Sequence, residues 1–333
     1  MKNSQLPNAL SILHAAGKSA LILGKPGIGK TEGVRAFAEA KGMTLISVHA
    51  PLLDLLDVKG VISTANDKAE FLPLKMWPAE TDKPVVVLID EFVQAVPAIQ
   101  NALSQLLIDH QMGDIKLPKG SMVIATGNRK EDKANTHNVP SHVKNRVATL
   151  HLDVSVDDFI TWGVRNDVEP SIMAFLRFRP DLMHTFDPKT NNESYGSPRS
   201  WKYASDIIKA VAEFRDNSLT HDLVSGVVGV SEAGEYLAYQ RMYAEIEDPK
   251  WVLANPSKAK ISKDASVMYA MMTAVAMLVD DDTVENFFTL LDRYPTEFAV
   301  AAIKTAAARW PKIKETKAID KYIIANMDLM HTD

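Results

Sequence analysis

The chain contains no cysteine. Disulfides, thiolate metal sites and cysteine nucleophiles are therefore excluded. It also lacks an apolar run long enough to cross a bilayer. The longest, Val267 to Val279, falls short of the roughly 20 residues a spanning helix needs, and Tyr269 and Thr273 dilute it. Its methionines Met268, Met271, Met272 and Met277 fall at helical spacing, so it reads as a buried core helix. The stretch from Met1 to Ala16 lacks the basic-then-apolar pattern of a signal peptide. There is no excess of positive charge either. The formal net charge is −5, which argues against a wholly basic nucleic-acid binder and leaves room only for a local basic surface. No internal repeat and no low-complexity segment stands out. A cytoplasmic protein with no membrane span is the expectation.

What is present is 333 residues, 46% apolar and 24% charged, enough for two domains and a sizeable core. The first half alternates β-rich runs with helical patterns. Strands are predicted at Ser19–Leu23, Thr44–Val48, Val85–Ile89, Ser121–Thr126 and Val147–Leu152. Helices are predicted from Thr31 to about Ala40, ending at Lys41-Gly42, and from Pro97 to Asp109. Strands separated by helices imply an α/β fold with a parallel five-stranded sheet, helices on both faces and right-handed crossovers. The unbroken β-branched run at Val85–Ile89 suggests a central strand covered on both sides. After Leu152 helical periods dominate, broken at Pro180, at Asp187–Pro198 and at Asp248–Lys258. The expected division is an α/β core at 1–152, a helical segment at 153–215 and a helical C-terminal region at 216–333.

Two motifs carry chemistry. Gly24-Lys25-Pro26-Gly27-Ile28-Gly29-Lys30-Thr31 follows a predicted strand and opens a predicted helix. Glycines at this spacing let the backbone wrap around phosphate oxygens, while the helix N-terminus adds positive potential. Lys30 is expected to reach the β- and γ-phosphates, and the Thr31 hydroxyl to bind Mg²⁺. The second motif is Val85 to Glu91, a buried apolar run that delivers two carboxylates at the strand end. In parallel sheets that edge is where ligands sit. Asp90 is expected to hold Mg²⁺, and Glu91 to orient and polarise the attacking water. A Mg²⁺-dependent nucleoside triphosphatase follows, with Gly24–Thr31 and Asp90 as the nucleotide-binding residues; that the nucleotide is ATP is what a family resemblance implies.

These residues resemble the AAA+ ATPases, and specifically the MoxR-like branch, from about Ala20 to Trp201. Gly24–Thr31 is similar to Walker A and Val85–Glu91 to Walker B. Val123 to Asn128 resembles the strand carrying sensor 1, which implies that Asn128 positions the lytic water or contacts the γ-phosphate. Pro140 to Arg146 resembles the arginine-finger segment, which implies that Arg146 reaches the nucleotide of a neighbouring subunit. Arg129 and Lys144 lie close by as rivals for that role. Gly196-Ser197-Pro198-Arg199 resembles sensor 2, which implies that 1–152 is the nucleotide-binding core, that 153–215 is a helical lid, and that Arg199 contacts the γ-phosphate from that lid. Segments Asp57 to Pro73 and Asp109 to Gly120 look like MoxR-type hairpin insertions, whether working elements or simple surface hairpins.

The resemblance implies a homo-oligomeric ring, a hexamer, that uses ATP to remodel or activate a protein client. A von Willebrand A-type protein is the partner class it suggests. Two other readings stand beside it: an ATP-driven nucleic-acid machine, disfavoured by the acidic balance, and a scaffold that binds ATP without turning it over. The pair His137 and His142, the acidic run Asp280-Asp281-Asp282 and the lysines Lys312, Lys314, Lys317 and Lys321 read as surface features.

Overall fold

A computed structural model describes residues 1–64, 70–79, 82–113, 115–132, 136–190, 193–214 and 219–325. The chain divides into two compact units, Met1–Ser155 with Asp187–Asn191, and Val156–Phe186 with Asn192–Asp333. The expected boundary between residues 215 and 216 lies outside the described residues, as do parts of both hairpin segments and of the loop before Arg199.

The first unit is built on strands β1 (Ala20–Gly24), β2 (Thr44–His49), β3 (Val61–Ser63), β4 (Glu70–Leu72), β5 (Val85–Asp90), β6 (Gln111–Met112), β7 (Ile115–Lys116), β8 (Met122–Gly127) and β9 (Ala148–Leu152). Five of them form one sheet in the order β2-β5-β8-β1-β9, and every pairing in it is parallel. The short pairs β3-β4 and β6-β7 are antiparallel hairpins within the two segments where hairpins were expected. The unit's helices are α1 (Leu6–Ala15), α2 (Lys30–Ala40), α3 (Leu55–Lys59), α4 (Pro97–Asp109) and α5 (Ser141–Lys144).

Strand alternation explains why this sheet is covered on both faces. Successive side chains point to opposite sides. Val85, Val87 and Ile89 of β5 pack with Val123 and Ala125 of β8 against Leu103, Leu106 and Leu107 of α4. Val86 and Leu88 pack with Ile22, Met122 and Ile124 against Leu6 and Leu10 of α1 and Val34 and Phe37 of α2. Fully burying each such side chain contributes about 1.5–3 kcal/mol, so this double core fixes the sheet rigidly. Asp90, the last residue of β5, is therefore mounted on a strand held from both faces, and Glu91 follows directly after it.

Helix α1 was not anticipated. Its signal is the spacing of Leu6, Leu10 and Leu13, which places two buried leucines and one half-buried leucine on a single face.

The second unit is helical: α6 (Val156–Arg165), α7 (Pro170–Phe178), α8 (Pro198–Phe214), α9 (Thr220–Val228), α10 (Val230–Ala244), α11 (Pro249–Ala254), α12 (Ala265–Ala276), α13 (Val284–Leu291), α14 (Thr296–Arg309) and α15 (Lys317–Ala325). The methionine-rich run is the buried α12, where Met268, Met271 and Met272 meet Phe287, Phe288 and Phe298. The stretch Asp248–Lys258 is not simply a break, because it contains the six-residue α11. The Asp248 carboxylate accepts from the Lys250 N–H, and Pro249 occupies the first helical position, where its missing N–H costs nothing. Asp280 accepts from the Asp282 and Thr283 N–H groups and from the Thr283 hydroxyl, which sets the turn before α13.

Candidate functional site

The phosphate loop leaves β1 at Gly24. A Cβ there would lie 2.6 Å from Ile28 Cδ1 and 2.8 Å from the Leu152 carbonyl, so only glycine fits. Gly27 and Gly29 have φ of 74° and 91°, the left-handed region open to glycine. This winding turns successive N–H groups inward, which makes an anion-binding nest. Gly29 caps α2 without a side-chain hydrogen bond, so the first-turn N–H groups stay available to a ligand. Asn3 Nδ2 donates to the Ile28 carbonyl at 2.7 Å and braces the loop from outside.

Lys30 Nζ donates to the Gly24 carbonyl at 2.8 Å, the Lys25 carbonyl at 2.9 Å and Asn128 Oδ1 at 2.9 Å. The ammonium is thus folded into its own loop and tied to the end of β8. Incoming phosphate oxygens would compete with these neutral acceptors, and charge-assisted bonds are the stronger kind. Thr31 Oγ1 donates to Asp90 Oδ2 at 3.0 Å. A hydroxyl beside a carboxylate is a hard-oxygen donor set, and that chemistry fits Mg²⁺.

Asp90 ends β5, and Glu91 follows it in the left-handed region at φ 56°, unusual for a residue with a Cβ. Two neighbours hold this turn. Thr126 Oγ1 donates to Asp90 Oδ1 and accepts from the Glu91 N–H at 3.1 Å. Behind the turn, the fully buried Gln100 donates from Nε2 to the Val93 and Ala95 carbonyls. The Glu91 carboxylate lies 3.2 Å from His49 Nε2, and both side chains are a little under half exposed. His49 is the last residue of β2, in register with Asp90.

The structure therefore brings Gly24–Thr31, Asp90, Glu91 and Asn128 to one edge of one sheet. Arg146 lies in the same unit, just before β9. It is exposed, and among the described residues no hydrogen bond or ion pair holds its guanidinium. Its rival Arg129 is four-fifths buried and engaged with Asp132, Glu131 and Asp153. Lys144 is exposed on α5. Arg199 belongs to the second unit, exposed in the first turn of α8.

Sequence reasoning missed His49 and Thr126. Thr126 had a signal, being a hydroxyl in an otherwise apolar strand, and β8 is buried along its whole length. His49 had only its place at a strand end.

The protein-family model described as the ATPase family associated with various cellular activities (AAA) matches residues 20–147. That segment matches an AAA ATPase domain, and ATP hydrolysis is the chemistry the match indicates. No curated protein is detectably similar to the chain. Among solved structures, the chain is similar to a RuvB mutant from Thermotoga maritima, at 15% identity over 84% of this chain and 82% of that one, with a TM-score of 0.41. It is similar to NtrX from Brucella abortus at 11% identity over 94% and 67%, with a TM-score of 0.43. At TM-scores below 0.5 these likenesses carry no argument about substrate or partner. No helix among the described residues is long and apolar enough to cross a membrane.

Proposed function

We propose that this protein is a MoxR-like AAA+ ATPase that works as a cytoplasmic ring, a hexamer, and uses ATP turnover to remodel or activate a protein partner of the von Willebrand A type. The observation that carries the ATPase part is the convergence of Lys30, Thr31, Asp90, Glu91 and Asn128 on one sheet edge, where Lys30 bonds Asn128 and Thr31 bonds Asp90. In this reading the loop amides and Lys30 hold the β- and γ-phosphates. Thr31 and Asp90 hold Mg²⁺, which neutralises charge on the phosphate oxygens when bound. Glu91 orients the attacking water and takes its proton, with Asn128 beside the γ-phosphate. Negative charge spreads over the γ-phosphate oxygens in the transition state, and a guanidinium meets it in the geometry it prefers.

Arg146 supplies that guanidinium in trans. Its exposed, unengaged side chain supports the assignment over Arg129, whose acid partners hold it. Residues 153–215 act as a helical lid that brings Arg199 to the γ-phosphate, and 216–333 form a C-terminal extension. The client and the ring rest on the MoxR-like resemblance and on the trans role given to Arg146.

The test uses two variants. Glu91→Gln keeps ATP binding and stops turnover, and Arg146→Ala does the same in the assembled ring. Mixing the two inactive proteins restores part of the hydrolysis, because some interfaces regain an intact site. Absence of any restoration at all mixing ratios refutes the trans assignment. Salt-sensitive binding of DNA or RNA by the wild type, with no protein retained by the ATP-trapped Glu91→Gln form, refutes the client assignment.

A further inference from the structure

We infer that Thr126 is a positioning residue for ATP hydrolysis, and that its hydroxyl sets both which Asp90 oxygen faces the metal and where Glu91 points. The inference rests on the reading of Asp90 and Glu91 given above and adds a residue to it.

Thr126 is fully buried in β8, a strand whose other members are Met122, Val123, Ile124, Ala125 and Gly127. A valine has the same shape and would suit such a strand without a polar atom to satisfy. The hydroxyl needs a reason, because burying one without partners costs about 1–3 kcal/mol. Here it has two partners, and both belong to the acidic motif. Its proton goes to Asp90 Oδ1, and its lone pair accepts the Glu91 N–H.

Each bond has a consequence. Asp90 has two carboxylate oxygens, and either could face the phosphate loop. With Oδ1 bonded to Thr126, Oδ2 is the one presented to Thr31, 3.0 Å from its hydroxyl. The Glu91 backbone occupies a conformation that few non-glycine residues adopt. Its N–H is locked by the same hydroxyl, so the carboxylate leaves the strand in one direction. β-Branching restricts χ1 of Thr126, so the donor keeps its aim. One hydroxyl thus couples the metal-facing carboxylate to the water-orienting one, across the β5-β8 pairing in which Ile89 sits opposite Ala125.

The experiment compares Thr126→Val, Thr126→Ser and Thr126→Cys with wild type and Glu91→Gln. For Thr126→Val, kcat is expected to fall about 10- to 100-fold, the range for a lost charge-assisted hydrogen bond. Nucleotide affinity measured calorimetrically without Mg²⁺ should stay within about twofold of wild type. The affinity gained on adding Mg²⁺ should shrink. Thr126→Ser keeps the hydroxyl and should recover most of kcat and of the Mg²⁺ effect. Should the valine variant not fold, Thr126→Cys, similar in size but a poor donor, is expected to show the same losses in a folded protein. Wild-type kcat and Mg²⁺ response in the valine or cysteine variant overturn the proposal. So does a serine variant as impaired as valine, since packing would then be the cause. If Glu91→Gln hydrolyses ATP as fast as wild type, the reading of the acidic motif fails and takes this proposal with it. If Glu91→Gln is inactive while Thr126→Val is not, only the role of Thr126 fails.

Discussion

His49→Ala should raise turnover rather than lower it. In the sheet order β2-β5-β8-β1-β9, His49 stands on the far side of β5 from β1 and the phosphate loop. Its imidazole, 3.2 Å from the Glu91 carboxylate, draws that group toward the sheet edge and away from Lys30 and Asn128. For Glu91 to act on a water at the γ-phosphate, the pair must part. The restraint is weak, since both side chains are nearly half exposed, and exposed polar contacts of this kind contribute at most about 1 kcal/mol. One kcal/mol in a barrier corresponds to about a fivefold change in rate. His49→Ala should therefore raise kcat by up to about fivefold with KM for ATP unchanged, and His49→Gln, which keeps a donor, should lie between the two. Steady-state phosphate release at saturating ATP, at a protein concentration that holds the oligomer constant, measures it. A tenfold fall in kcat at unchanged KM would refute the reasoning, because His49 would then be supporting Glu91 in its working position.

Two further predictions concern stability. A Cβ on Gly127 would lie 2.3 Å from Val93 Cγ2 and 2.7 Å from Val93 Cβ, so Gly127→Ala must displace the turn behind Glu91. A loss of about 1–3 kcal/mol is expected, read as a drop in Tm. His110 is a half-buried imidazole bonded to Ser19 Oγ; burial pushes its pKa below the usual histidine value, Asp109 opposes that, and His14 adds to it. Its folded pKa is depressed, so the unfolded chain binds more protons. The resulting stability is full above the ordinary value near 6.5 and is lost as pH falls below it toward the folded pKa. Because His110 has φ 53°, Asn is the fitting replacement, and His110→Asn should lose less Tm than wild type between pH 7.5 and 5.5.

The phosphate loop and the acidic strand were legible because their constraints are local. Gly27 and Gly29 are needed for the winding of one turn, and the Val85–Ile89 run declares a strand buried on both faces. Helix α4 runs from Pro97 to Asp109 as its apolar spacing predicts, and the five main strands fall within a residue of their expected places. The contacts of Thr126 and His49 were not legible, because each depends on strand order. β8 lies between β1 and β5, although more than 30 residues separate it from the end of β5. Nothing in the local pattern of Met122–Gly127 says which strand it will pair with. The same limit applies to Arg146 and Arg129. Residue type and position made them rivals, and only the ring of acids around Arg129 distinguishes them.

Strand order also explains how the site is wired. Adjacent strands are about 4.8 Å apart, so the ends of β1 and β5 are separated by about 10 Å with β8 between them. The Thr31–Asp90 bond crosses that gap only because the loop carries the start of α2 over the end of β8. Lys30 meets β8 through Asn128, and Asp90 meets it through Thr126. The phosphate-binding half and the acidic half therefore each report to the C-terminal end of β8, through Asn128 just beyond it and Thr126 within it. A change in β8 should disturb Mg²⁺ response and turnover together. A side-chain change at His49, whose imidazole faces Glu91, should move turnover alone.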